Sequence, residues 1–109
     1  RVIDGEVLDI AVDIRPGSET YGEKVSILLS AENKKQLFIP RGFAHGFVVL
    51  SDTATFFYKC DNFYNKESEA GILFNDPEIN IDWHFSEQEL IVSEKDWLLP
   101  TMKNAKKVW

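Results

Sequence analysis

The chain has 109 residues, of which 44% are hydrophobic and 28% charged, and its formal net charge is −6. This length and composition predict one globular domain, because domains usually hold roughly 100–200 residues. The acidic balance argues against a nucleic-acid partner, whose phosphates require a basic surface. No apolar run approaches the roughly 20 residues of a membrane span. The single cysteine, Cys60, cannot form an internal disulfide, so we expect a cytoplasmic protein with no membrane partner.

Short apolar runs alternate with turn signals along the chain. Runs of this length that are rich in aromatic and β-branched residues predict strands. In chain order, the predicted strands cover residues 1–3, 6–14, 24–30, 36–39, 47–50, 54–60 and 71–74. Their close spacing favours an all-β barrel or sandwich of the jelly-roll kind. Because the first run lacks an initiator Met and reads as a strand interior, we expect one domain over residues 1–109 that is truncated at its N-terminal side.

Helical signals are confined to the later part of the chain. Patterns of the Ser-x-x-acid type begin at Ser86 and at Ser93, and each predicts a short helix. A helical turn is predicted over residues 66–69, in a polar loop, and a basic tail begins at Lys103. The sequence therefore predicts short C-terminal helices beside a β-rich body.

The two histidines, His45 and His84, give only a weak signal for a metal site. A metal-dependent barrel normally directs several His and a carboxylate at one ion, so we expect no protein-bound metal. His45 lies among Pro40, Gly42 and Gly46, which indicates an unusual backbone. Two interpretations carry equal weight on the residues alone: the ring points at a ligand, or it packs at a loop and bonds to a carbonyl.

Tyr58 belongs to a strongly aromatic run, in which Phe56 and Tyr58 share one face of the predicted strand. A tyrosine hydroxyl that faces a barrel interior can donate a proton. The alternative is a core tyrosine whose hydroxyl bonds to the backbone, and the residues alone favour that alternative.

Other residues offer weaker binding signals. The segment 62–64 places aromatic rings in a polar loop, where they can stack on a base, although hydrophobic anchoring is the commoner reason. Arg41, Lys59 and Lys95 are candidate partners for a diphosphate, although a single surface cation is more often only solvated.

Several stretches together share an order and spacing with a known family. The most specific is the segment 36–47, which contains the run Pro-Arg-Gly-Phe-Ala-His-Gly-Phe. The others are Gly5-Glu6-Val7, residues 11–15 and 29–33, Tyr58-Lys59, Tyr64, Glu69, Asn75-Asp76-Pro77, Ile81-Asp82-Trp83 and Ser93-Glu94-Lys95-Asp96. From Arg1 to about Asp96, the chain resembles the dTDP-4-dehydrorhamnose 3,5-epimerase family.

The resemblance implies a cupin-type jelly roll, a homodimer and a reaction that uses no metal and no cofactor. It implies epimerisation of dTDP-4-dehydro-6-deoxy-D-glucose at C3 and C5, whose protons are acidified by the C4 ketone, in dTDP-rhamnose biosynthesis. Tyr58 matches the proton donor, and Asp96 matches the carboxylate that orients the basic histidine. The positions that match substrate contacts are His45, Tyr64, Glu69 and Lys95, of which Tyr64 stacks on thymine.

Two features depart from the family pattern. The basic histidine of the family lies in an Arg-Gly-Leu-His segment upstream of the point where this chain begins, so we expect the isolated chain to be inactive. His84 stands where the family commonly has Pro, at a position without a catalytic role.

Two other functions stay open. One is a single-carbon epimerase or ketoisomerase that acts on another dTDP-deoxysugar. The other is a non-catalytic domain that binds a sugar nucleotide. Tyr58 and Asp96 weigh against the second, because binding alone requires neither residue.

Overall fold

A computed structural model describes residues 1–63, 65 and 69–105. Within these residues the chain forms five strands and one short helix. The elements are β1 (Val2–Asp4), β2 (Glu6–Asp13), β3 (Lys24–Ser30), β4 (Phe43–Val49), β5 (Thr55–Phe56) and α1 (Glu94–Trp97). In this described part, no helix has the length and apolar character that a bilayer crossing would need.

The strands form two antiparallel sheets. The larger sheet has the order β3-β2-β4, and the smaller pairs β1 with β5. Strand β2 lies in the centre of the larger sheet, so both of its edges are hydrogen-bonded. Seven of its eight residues are buried, because both of its faces are also covered. The buried central strand is therefore the element that positions the side chains on either face.

One face of β2 packs against the later part of the chain. Leu8, Ile10 and Val12 project from this face and form a buried cluster with Ile79 and Met102. Alternation of side chains along a strand places these three residues on one side of the sheet.

The opposite face of β2 carries a second, smaller apolar cluster. Its fully buried members are Val2, Val7 and Leu29, and Phe56 packs against them from β5. The small β1–β5 sheet therefore covers one end of this face. The rest of the face carries the polar and aromatic side chains of the candidate site.

The predicted strands 1–3, 6–14 and 24–30 correspond to β1, β2 and β3, whereas the strand predictions after residue 30 are less accurate. Strand β3 has the predicted bounds, and β2 ends one residue earlier than predicted. Strand β4 begins four residues earlier than predicted, because it pairs with β2 as far as Phe43 opposite Asp13. Residues 36–39 and 71–74 form no strand, and only two residues of the predicted strand 54–60 belong to β5.

Only one of the predicted C-terminal helices is present. Ser93 caps α1, and its hydroxyl oxygen accepts a hydrogen bond from the backbone N–H of Asp96 at 3.2 Å. The segment that begins at Ser86 forms a turn, in which the Glu89 carboxylate accepts from the Ser86 hydroxyl at 2.9 Å. Residues 66–68 of the predicted helical turn at 66–69 and most of the basic tail lie outside the described residues.

Candidate active site

A buried carboxylate and a histidine face each other on the sheet face opposite the larger core cluster. Asp9 of β2 is 1% exposed, and its Oδ1 lies within hydrogen-bond distance of Nε2 of His45 on β4. The strand register produces this pair: β2 and β4 align Ala11 with His45 and Asp9 with Phe47, so Asp9 and His45 are diagonal neighbours. Burial of an unpaired carboxylate is costly, and His45 supplies the required partner.

The Asp9–His45 pair contradicts one of the two interpretations of His45. The ring does not sit in a loop against a carbonyl, because His45 lies in the middle of β4 and bonds to a carboxylate. A carboxylate at one ring nitrogen fixes the orientation of the ring. The His45 side chain keeps 33% of its surface exposed, so it can contact a ligand.

Asp9 is not among the site residues predicted from the sequence. An acidic residue in a strand with an alternating pattern is normally assigned to the solvent-exposed face. The signal that could have revealed it is its position, because Asp9 shares a strand face with the apolar residues Val7 and Ala11.

The glycine after His45 is explained by packing on the other face of β4. A Cβ at Gly46 would lie 3.2 Å from Cη2 of Trp83. The Trp83 indole N–H donates to the carbonyl of Phe74 at 2.9 Å, so its ring is held in place. The small residue at position 46 therefore admits the indole without a change in the strand that presents His45.

Aromatic rings extend from His45 towards Tyr58. The Phe56 ring centroid lies 6.0 Å from that of His45 and 5.9 Å from that of Tyr58. Phe47 stacks on Phe56 with centroids 4.9 Å apart and planes 11° apart. We call these four residues, His45, Phe47, Phe56 and Tyr58, the aromatic row. Tyr58 is 70% exposed, so the interpretation as a core tyrosine is wrong.

The other predicted site residues lie on later segments. Lys95 Nζ and Glu69 Oε1 form an ion pair at 2.9 Å, which brings two of the predicted substrate contacts together. Asp96 lies in α1 and is exposed. Tyr64 lies outside the described residues. The roles that the resemblance implies for these residues stay predictions.

A network of polar side chains fixes the loop between β2 and β3 and the start of β4. The Asp13 carboxylate is 1% exposed and accepts from the Arg15 guanidinium at 2.9 and 3.0 Å. It also accepts from the hydroxyls of Ser18 and Thr20. The hydrogen bond from Arg15 holds the pKa of Asp13 well below its ordinary range. Arg15 also lies over the ring of Phe43, two residues before His45, with 5.1 Å to its centroid.

The donor set in the described part of the chain does not form a metal site. No three His, Cys, Asp or Glu side chains among the residues with a described placement lie close enough together to hold an ion. The Asp9–His45 pair places polar groups beside the apolar rings of the aromatic row. This arrangement is typical of small-molecule sites.

Comparison with known proteins identifies the family. The family model described as dTDP-4-dehydrorhamnose 3,5-epimerase matches residues 1–104. The chain belongs to the dTDP-4-dehydrorhamnose 3,5-epimerase family. The enzyme of that name from Escherichia coli (strain K12) is 55% identical over 102 residues, which are 94% of this chain and 55% of the relative.

Solved structures of the family match the fold closely. The epimerase from Elizabethkingia anophelis NUHP1 is 58% identical with a TM-score of 0.91, and the match covers 94% of this chain and 56% of that one. The dTDP-6-deoxy-D-glucose-3,5-epimerase from Legionella pneumophila Philadelphia 1, in complex with dTDP-4-keto-L-rhamnose, is 50% identical with a TM-score of 0.90. The match covers 94% of this chain and 54% of that one.

These matches confirm the predicted all-β, cupin-type jelly-roll fold. The chain spans about half the length of the curated relatives that it matches.

Proposed function

We propose that this chain forms part of an enzyme that epimerises dTDP-4-dehydro-6-deoxy-D-glucose at C3 and C5 to give dTDP-4-dehydro-L-rhamnose. The observation that carries the proposal is the aromatic row beside the buried Asp9–His45 pair, in a chain of the 3,5-epimerase family. The solved relative in complex with dTDP-4-keto-L-rhamnose supports the same sugar class.

The chemistry requires a base, an acid and a way to hold the substrate. When a base removes the proton from C3 or C5, the C–H electrons form a carbon–carbon double bond to the neighbouring carbon and the C4 oxygen becomes an enolate. An acid then returns a proton to the opposite face of the same carbon, and the C4 ketone re-forms. The configuration is inverted, and no oxidant or reductant is consumed.

We assign the acid to Tyr58. Its side chain is 70% exposed, and its ring centroid lies 5.9 Å from that of Phe56, which lies 6.0 Å from that of His45. A hydroxyl in that position can reach a ligand that also contacts His45. General acid catalysis by such a group typically contributes about 10²–10⁴-fold to the rate.

We assign His45 to substrate binding. Its Nε2 is engaged by Asp9, which fixes the ring and leaves Nδ1 as its other polar atom. The resemblance assigns the base to a histidine that is not among these 109 residues, and it assigns the orienting carboxylate to Asp96. Glu69, Lys95 and Tyr64 complete the proposed substrate contacts.

The first experiment follows deuterium incorporation. The full-length protein is incubated with dTDP-4-dehydro-6-deoxyglucose in heavy water, and NMR follows label at C3 and C5. Label at both carbons is the expected result. Label at one carbon would instead indicate the single-carbon epimerase, and nucleotide binding without label would indicate a binding domain.

A matched pair of variants tests the role of Tyr58. Tyr58→Phe removes one hydroxyl and should lower turnover by about 10²–10⁴-fold. Tyr21→Phe removes the same group from a residue that is 41% exposed in the loop between β2 and β3, and it should leave turnover unchanged. Equal activities of the two variants would contradict the assignment of Tyr58 as the acid.

The homodimer and the cytoplasmic location are also proposals. The homodimer rests on the family resemblance, and a sedimentation experiment on the full-length protein tests it. The cytoplasmic location rests on the single cysteine, Cys60, which is exposed and forms no disulfide.

A further inference from the structure

Two phenylalanine rings stand at the candidate site without an explanation in the proton chemistry. Phe47 is 47% exposed, although it lies on β4 only two residues from His45. It stacks on Phe56 with centroids 4.9 Å apart and an angle of 11° between the planes. Neither ring can donate or accept a proton, so their place beside His45 and Tyr58 requires another reason.

The backbone holds both rings in place. Phe47 pairs with Asp9 across β2 and β4, and Phe56 pairs with Val2 across β1 and β5. Phe56 is also packed against the apolar cluster that contains Val2 and Leu29. A side chain with two rotatable bonds and neighbours on two sides loses little further freedom when a ligand arrives. The stack is therefore a rigid apolar surface at the edge of a polar site.

A rigid apolar surface favours a ligand edge that carries no hydroxyl. A 6-deoxyhexose has such an edge, because a methyl group on C5 replaces the hydroxymethyl group of an ordinary hexose. A hydroxyl pressed against the rings would lose its hydrogen bonds to water without a replacement.

We propose that the Phe47–Phe56 stack determines specificity for 6-deoxy sugars by receiving the methyl-bearing edge of the hexose. This proposal rests on the proposed function, because it places the same sugar between His45 and Tyr58. The central position of Phe56, whose centroid lies 6.0 Å from that of His45 and 5.9 Å from that of Tyr58, makes this contact compatible with both groups. The stack contacts the substrate but transfers no proton.

The test compares two substrates that differ only at C6. The full-length protein is given dTDP-4-dehydro-6-deoxyglucose and, separately, the 6-hydroxylated dTDP-4-dehydroglucose, and kcat/KM for label incorporation in heavy water is measured for each. Apolar pockets discriminate against an added hydroxyl by about 10²-fold at most, so we expect a preference of about 10–100-fold for the 6-deoxy sugar.

Two variants place a polar group at position 47, where the exposed ring of the stack lies. Phe47→Tyr retains the ring and adds a hydroxyl, and Phe47→Gln removes the ring. Both should lower the preference to about threefold or less, mainly through a lower kcat/KM for the 6-deoxy sugar. Phe57→Gln is the matched control, because Phe57 is 50% exposed and lines a different cleft with Arg1 and Lys59. This control should retain the preference of the wild type.

The outcomes separate this proposal from the proposed function. If label enters both sugars with equal kcat/KM, the proposed epimerase function is supported and the proposed role of the stack is overturned. A preference that survives in Phe47→Tyr, with the protein folded by circular dichroism, would overturn it as well. Absence of label with either sugar would overturn both proposals together.

Discussion

Gly5 offers a sharp test of how the chain builds the site, because it joins β1 to β2 at a crowded point. Its φ is +82°, and a Cβ there would lie 2.3 Å from the carbonyl oxygen of Thr53 and 2.6 Å from Oγ of Ser51. The first distance is about 0.7 Å inside the 3.0 Å that Cβ atoms keep from their neighbours. The turn at 51–54 leads directly into β5, which carries Phe56 of the aromatic row.

We expect Gly5→Ala to lower the free energy of unfolding by about 2–5 kcal/mol. The left-handed backbone accounts for about 1–2 kcal/mol of this loss. Displacement of the turn accounts for a further amount of about 1–3 kcal/mol, which is typical of overpacking. The displaced turn would also lose the hydrogen bond from the Glu6 N–H to the Ser51 hydroxyl, which is 2.9 Å long.

Gly17→Ala is the matched control for the steric part of this loss. Gly17 has a φ of +80° and has nothing within 4 Å of the position that a Cβ would take. Its substitution should therefore cost only the backbone part, about 1–2 kcal/mol. Urea unfolding of both variants measures the difference, provided that their m-values agree. If the two variants lose the same stability within about 0.5 kcal/mol, the close packing around Gly5 contributes nothing and the reasoning fails.

Two further predictions concern the core and the loop network. Leu29→Ala removes a side chain that is fully buried in the second cluster, and it should lower the free energy of unfolding by about 2–5 kcal/mol. Leu28→Ala, at a residue that is 41% exposed, should lower it clearly less in the same urea assay. The pKa of Asp13 is lower in the folded state than in the unfolded state, so its ionised form stabilises the fold above pH about 4, and this contribution is lost as the pH falls below that value. Asp13→Asn should therefore be less stable than the wild type at pH 7, and the gap should narrow below pH about 4. Unfolding measured from pH 7 to pH 3 checks this, and a constant gap would contradict it.

Local pattern was sufficient to predict β2 and β3 of the central sheet. Strand β3 has the predicted bounds because turn residues flank its apolar run on both sides. The cap of α1 was predicted because a serine followed three residues later by an acid stabilises a helix start over a short range. These signals depend on neighbours in sequence, so they can be recognised without a structure.

Other apolar runs were misjudged, although turn residues flank them as well. Residues 71–74 have the composition of a strand, but their contacts are made with distant loops: the Leu73 N–H donates to the carbonyl of Pro100 at 2.8 Å. Composition cannot distinguish a segment that joins a ladder from one that packs over a core. The choice depends on which surfaces the rest of the chain leaves open.

For the site, the sequence by itself determined the family, through the segment that contains His45, and it singled out His45 and Tyr58. Only the tertiary structure decided what surrounds them. The Asp9–His45 pair spans 36 positions in the chain, and the stack of Phe47 on Phe56 joins two different sheets. These contacts arise from the register between strands, which is set by the packing of both faces of β2 at once. No local pattern records that packing, so the partners of the site residues became visible only in the folded chain.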